Sequence, residues 1–381
     1  MTAGEAVAAR RELARLSHLG LAWTELAARA SQVIRRVVAY ERMCWHPIDP
    51  ATLLMTGGVV ENLPPDGFPV LARCEYETED VNTWSSLATN PWPVGILSQA
   101  THGHEHTSRR YRELLAPRGI GRELRASLVT GGACWAALGL YRSPAAPDFT
   151  GPEAAFVASV SATLAQGMRR SVLIGDPSFY DIPGGPGVVI VDDADQVVAA
   201  SEPAGPWLAG LQGPGGGPLP PVVLALAARA RALSRCAEGP DLPARARARC
   251  QSGTWMVIHA TRLSGPYTGH TAVIIEPARP AEMAPLVVHA YGLTPREQDV
   301  TRLMVQGLSA KQAAHQLKLS TYTLQDHLRS VYEKVGVSSR RELVARVFFD
   351  HYWPSIVGGS ALGANGWFAP RAGALPGARG T

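Results

Sequence analysis

The stretch LTPREQDVTRLMVQGLSAKQAAHQLKLSTYTLQDHLRSVYEKVGVSSRRELVA, residues 293–345, decides how the carboxyl-terminal part of this 381-residue chain folds. Thr294 can accept a bond from an orphan backbone N–H, Pro295 brings the fixed φ suited to a first helical position, and Glu297 completes a capping box. A helix is predicted there, with Val300, Leu303 and Met304 on one apolar face, stopped by Gly307, which can take φ > 0. Ser309 with Gln312 repeats the box and opens a second helix, whose Ala313, Ala314 and Leu317 form a narrow face for close packing. Leu319 packs the turn, Ser320 caps a third helix, and Leu324, Leu328, Val331 and Val335 recur along its buried side. Ser339 with Glu342 caps a fourth. Its Leu343, Val344, Val347 and Phe348 exceed what so small a unit must bury and suit a dimer contact.

On the third helix Tyr322, Gln325, Asp326 and Arg329 fall opposite the buried stripe, near the N-terminus, where a recognition helix presents side chains to the major groove. Gln can bond adenine N6 and N7, Asp can accept from cytosine N4, and Arg can reach guanine or a phosphate. Residues 293–350 carry nine Lys and Arg against six Asp and Glu, so the balance is only mildly basic. His327 is expected to pack against a neighbouring helix or bond a phosphate, not to bind metal.

The run resembles the LuxR-type helix-turn-helix, with the pattern L-T-x-R-E, G-x-S-x-K-x-I-A, L-x-x-S-x-x-T-V-x-x-H and K-x-x-V-x-x-R. The matching residues are Leu293, Thr294, Arg296, Glu297, Gly307, Ser309, Lys311, Ala314, Leu317, Ser320, Thr323, His327, Lys334, Val337 and Arg340. Ala313 stands where the family usually has Ile, Leu324 where it has Val, and Gln325 where Lys is common. The resemblance implies a DNA-binding unit whose contacts come from Lys311, Ser320, Tyr322, Thr323, Gln325, Asp326, Arg329, Lys334 and Arg340. Losing a Lys at 325 beside Asp326 lowers the expected affinity from counterion release, without lowering specificity.

Upstream, composition sets limits. A chain of this length has room for two or three domains, and 46% hydrophobic with 18% charged residues is ordinary for a soluble globular protein. The net charge of +4 is too small for non-specific coating of nucleic acid, so DNA contact must be local. All three lysines, Lys311, Lys318 and Lys334, lie in the stretch above. Five cysteines, Cys44, Cys74, Cys134, Cys236 and Cys250, form no C-x-x-C pair and are expected as reduced thiols. Arg residues interrupt the apolar N-terminus, and no run of ~20 apolar residues occurs. A cytoplasmic protein without membrane contact is expected.

Residues 5–38 read as one helix, with Leu13, Leu16, Leu19, Trp23, Leu26 and Ala30 along one side. Short apolar runs follow, at 43–45, 52–55, 127–129 and 134–142, and read as strands between Pro, Gly and Asp clusters. Residues 151–173 resume helix, with Phe156, Val160, Leu164 and Met168 at four-residue spacing. This flanking helix, antiparallel sheet and closing helix resemble a GAF sensor domain, particularly in RASLV (125–129), WAALGLYR (135–142) and Phe149-Thr150. The resemblance implies small-molecule binding on the concave face of the sheet and pairing through the first and last helices. His102, His104 and His106 with Glu105 would share one side of a strand, but lack a Cys or Asp partner at zinc-site spacing. An exposed loop before a helix at 108–115 is the reading taken, with no metal and no cofactor.

After a turn-rich linker at 176–186, GVVIVDDADQVVAAS pairs two apolar runs around residues 193–196, a hairpin signal. A short helix at 207–211, a Gly/Pro break at 213–221, an Ala/Arg-rich helix to Cys236 and strands in TWMVIHATRL and HTAVIIEPA complete the unit. The order resembles a PAS domain, although Gln196 and Ser201 depart from its opening pattern. A phosphorylatable receiver opens with a similar strand and acidic pair. Asp241 has no strand before it, however, and no Lys exists before Lys311, which rejects that reading. The Gly/Ala-rich tail from Pro354 is expected to be disordered.

No G-K-[ST], G-x-S-x-G or H-E-x-x-H occurs, so no enzyme is expected. The fold class expected is multidomain α+β: a GAF-like domain at 1–175, a PAS-like domain at 176–284, then an all-α four-helix LuxR-type domain at 285–353 and a tail at 354–381. The corresponding function is a transcription regulator that binds double-stranded DNA as a homodimer, answers an unknown small molecule and contacts RNA polymerase. The alternative is a ligand or haem sensor acting mainly through protein partners.

Overall fold

A computed structural model describes residues 2–174, 185–213, 217–235, 242–305 and 307–344. These fall into two compact units, one from residues 2–174 and 186–278, the other chiefly from Arg279 onward. The expected class holds: two antiparallel sheets with helices, then an all-α unit. The tail from Pro354, Cys236, Asp241 and the linker residues 175–184 lie outside the described residues.

The chain opens with α1 (Ala3–His18), begun by a capping box between Thr2 and Glu5, and α2 (Trp23–Arg35). The single helix expected at 5–38 is therefore two. Gly20 takes φ +64° between them, and Leu19, expected on the buried side, is exposed. The apolar spacing runs straight through this break, which is why the period alone missed it.

Strands β1 (Arg42–Pro47) and β2 (Val59–Glu61) follow, then helices α3 (Phe68–Tyr76) and α4 (Trp84–Thr89), strand β3 (Val94–Ile96) and the single turn α5 (Leu97–Ala100). The run TLLM at 52–55 is not a strand: Leu53 takes φ +57° in a turn, and Met55 makes one isolated bridge to Ile48. Its apolarity serves the core, where Leu54 and Met55 are fully buried. His102, His104 and His106 sit in an exposed loop, as read from the sequence. The helix after it carries a π-type turn at Tyr111–Leu115.

Long strands β4 (Arg122–Thr130) and β5 (Ala133–Arg142) complete the sheet in the order β2-β1-β5-β4-β3, all antiparallel. Helix α6 (Gly151–Ser171), started by the Thr150/Glu153 capping box, packs on one face beside α1 and α2. That contact is close: a Cβ on Gly167 would stand 2.7 Å from Leu26 and 3.1 Å from the Ser17 backbone. The opposite face follows from the register, which sets Cys44, Gly139 and Arg125 in one row and His46, Ala137 and Ser127 in the next. Charge is buried there too: Arg110 and Arg125 are fully enclosed, Arg110 bonded to Glu123 at 2.7 Å and Arg125 stacked 3.9 Å from the Trp84 ring.

The second sheet repeats this topology. The expected hairpin forms β6 (Gly187–Val191) and β7 (Val197–Ala200) around a turn with Asp195 at φ +61°. Helices α7 (Ala204–Leu211) and α8 (Pro221–Arg235) lead to β8 (Arg245–Arg249), β9 (Trp255–Arg262) and β10 (Thr271–Pro277). Its order, β7-β6-β10-β9-β8, is again second, first, fifth, fourth, third. Helix α8 is buried on every side from Pro221 to Ala232, including Arg229 and Arg231, and only its last turn reaches the surface. It lies between this sheet and α3 of the first domain, and one continuous apolar core spans both.

The all-α unit has α9 (Pro280–Ala290), α10 (Pro295–Val305), α11 (Ala310–Gln316) and α12 (Thr321–Val335), with residues 340–344 helical again. The domain boundary expected at 284–285 falls inside α9. Cys44, Cys74, Cys134 and Cys250 are free and buried; burial pushes the Cys44 thiol up to about 11. No described helix is long and apolar enough to cross a membrane.

Candidate nucleic-acid interface

Helices α10 to α12 stand where the caps and stops place them. Thr294 receives the Glu297 N–H while Glu297 accepts from the Thr294 N–H at 2.7 Å. Ser309 and Gln312 form the reciprocal box, and Ser320 Oγ accepts from the Thr323 N–H at 3.0 Å. Such a cap contributes about 1 kcal/mol each. Between α11 and α12 the turn passes through Lys318 at φ +54°, and α12 ends on Gly336 in the left-handed region.

Val300, Leu303, Met304, Ala313, Ala314, Leu324, Leu328, Val331, Val335 and Leu343 form one core with Leu293. Burying this stripe of α12 turns its opposite side outward. Tyr322, Gln325, Asp326 and Arg329 are all exposed, Tyr322 by 75%. None of the four makes a side-chain bond within the described residues, so their polar atoms are available to a partner. Lys311 and Ser320 are exposed nearby, and His327 is half-buried.

Other expected contact residues are engaged in the fold. The Lys334 ammonium lies 2.6 Å from Glu297, which also accepts from Ser330 at 2.7 Å. Burial opposes ionisation of Glu297, but bonds from Lys334, Ser330 and the Thr294 N–H outweigh it and hold its pKa at about 2. This pair ties α10 to α12. Arg340 donates to the Met304 carbonyl at 3.1 Å, and the Thr323 hydroxyl pairs with Ser320 Oγ at 2.9 Å. Arg296, a matching position that base readout does not need, donates to the Leu317 carbonyl at 2.6 Å and closes the end of α11. The sequence carried no direct signal for the Arg296, Lys334 and Arg340 bonds, which join residues 21 to 37 positions apart and are decided by packing; the Thr323–Ser320 pair, three residues apart, is local. Val347 and Phe348 of the expected dimer strip lie outside the described residues; Leu343 is buried in the core.

This unit carries the family match. Residues 292–347 match the family described as "Bacterial regulatory proteins, luxR family". A Mycobacterium bovis protein named "Putative HTH-type transcriptional regulator" is 52% identical over 52 residues, 14% of this chain and 6% of that protein. The "HTH-type transcriptional regulator MalT" of Vibrio cholerae is 37% identical over 60 residues, 16% of this chain and 7% of that one. The matched segments thus span less than a tenth of these relatives. Among solved structures, a GAF domain/HD domain protein from Geobacter sulfurreducens is similar over 42% of this chain and 99% of its own, with 16% identity and a TM-score of 0.28. The described residues of this matched stretch form a helix-turn-helix unit of the LuxR type.

Proposed function

We propose that this chain is a transcription regulator that binds double-stranded DNA in a sequence-specific way through α12. The carrying observation is the exposed, unbonded row Tyr322, Gln325, Asp326 and Arg329 on a capped helix within a LuxR-type unit. Gln325 reads adenine, Asp326 accepts from cytosine, and Arg329 takes guanine or a phosphate, while Lys311 and Ser320 hold the backbone. Thr323, Lys334 and Arg340 support the helix that does so. The chain acts as a homodimer in the cytoplasm, on half-sites one turn, ~34 Å, apart, and contacts RNA polymerase once bound.

The two sheet domains, GAF-like to about residue 175 and PAS-like from there to about 284, supply the signal. Support comes from their repeated strand order and from a pocket on the inner face of the first sheet. The test is selection from random oligonucleotides with the full chain. A consensus that changes when Gln325 is replaced supports the reading, and enrichment of no consensus overturns it.

A further inference from the structure

Two tyrosines stand on α12, and the fold uses one of them. Tyr332 is half-buried and packs against the core of the unit. Tyr322, the second residue of the helix, is more exposed than any other large apolar side chain among the described residues, and there neither its ring nor its hydroxyl has a partner. A lone exposed aromatic is common on protein surfaces and by itself marks nothing. The position of this one matters. It stands in the first turn of α12, one turn ahead of Gln325 and Asp326, and residues three and four apart on a helix are neighbours, about 5–6 Å between Cβ atoms.

The first turn of a helix laid in the major groove is the part that reaches base edges. Base pairs follow one another every ~3.4 Å, so a ring beside Gln325 faces the pair that Gln325 reads or the next one. There the side chain could offer its hydroxyl to a phosphate or its ring to a base. Asp326 decides between them. Its carboxylate, exposed and unbonded one turn away, repels a phosphate close to the hydroxyl, while the first Arg or Lys of the helix, Arg329, lies two turns on. At the base edges every pair presents donors or acceptors, and the one apolar group is the C5 methyl of thymine. A flat apolar ring matches that group alone.

We propose that Tyr322 reads the C5 methyl of one thymine, in the base pair that Gln325 contacts or the pair beside it, and so makes the chain distinguish thymine from uracil at that position. The proposal rests on the reading of α12 as the helix that enters the major groove, and adds a base and the side chain that selects it. The ring loses water against the methyl on binding; the hydroxyl stays in solvent.

The test uses the consensus selected with the full chain. Each thymine of one half-site is replaced in turn by deoxyuridine, which keeps the base pairing and the O4 acceptor and lacks only the methyl. Affinity of the full chain should fall about fourfold at one thymine, which is what burying one such carbon contributes. In Tyr322→Ala the thymine and deoxyuridine duplexes should bind alike at that position; an effect of the missing methyl on duplex flexibility would instead survive in that variant. Tyr322→Phe should keep the difference, because the ring and not the hydroxyl makes it. The base pair relaxed by Gln325→Ala should be the same one or its neighbour. Deoxyuridine without effect at every thymine, a difference that survives in Tyr322→Ala, a distant position, or affinity lost in Tyr322→Phe overturns the proposal, the last pointing to a phosphate bond. Any of these leaves the regulator standing, since the duplexes are built on a selected consensus. Failure to select one removes the regulator and this reading with it.

Discussion

Arg73 Nη1 donates to Asp195 Oδ2 at 2.7 Å, and that bond joins α3 of the first sheet domain to the hairpin tip of the second. Asp195 is 2% exposed and accepts from Arg231 as well, at 2.8 Å; Arg231 in turn bonds Glu77 at 2.6 Å. Charges buried in this way depend on one another. Removing one member leaves its neighbours desolvated without compensation, whereas removing a pair together relieves the penalty.

Asp195→Ala should accordingly cost about 3 kcal/mol, read as a lower urea midpoint for the sheet domains. Adding Arg231→Met should recover part of that loss. Additive losses in the double variant would show that the two side chains are not coupled.

Arg329→Ala should weaken DNA binding on every sequence and lower the slope of log affinity against log salt by about 1. Gln325→Ala should instead relax preference at a single base position by roughly 1–3 kcal/mol, with the salt slope unchanged. Titration of labelled duplexes across a salt series distinguishes them. An unchanged preferred motif in Gln325→Ala would falsify its base-reading role.

Glu297 sets a pH window. Its folded pKa of about 2 lies below its ordinary value of 4.5, so its contribution to stability is present above the latter and is lost as pH falls towards the former. Thermal melts of the carboxyl-terminal unit should fall through that interval. Glu297→Gln should be less stable at pH 7 and should flatten the dependence.

Lys318 occupies the left-handed region, which a branched Cβ resists. Lys318→Val should destabilise the turn by roughly 1–2 kcal/mol, while Lys318→Gly should be close to neutral. Chemical unfolding followed by helix signal checks both.

Where structure is decided locally, the sequence was readable. Thr294, Ser309 and Ser320 start their helices because a cap needs only the next three residues. The face of α12 was legible for the same reason. Contacts decided by packing were not. Gly20 breaks a helix whose apolar period continues on either side, and Leu53 turns inside an apolar run that a strand would share. Strand β8, RARAR, escaped notice because its inward residues, Ala246 and Ala248, are small and its outward ones are Arg. Nothing along the chain marks Lys334 as the partner of Glu297.

The two rims of the second sheet are treated differently. On β8 the Arg247 N–H already donates to Asp49 of the first domain at 2.8 Å, so a foreign strand finds that side occupied. On β7 all four residues, Val197 to Ala200, are exposed, and two of them are valine. Short, apolar and uncharged, that rim is the place where concentrated protein would stack edge to edge into aggregates, and a lysine at Val198 is the gatekeeper the chain lacks.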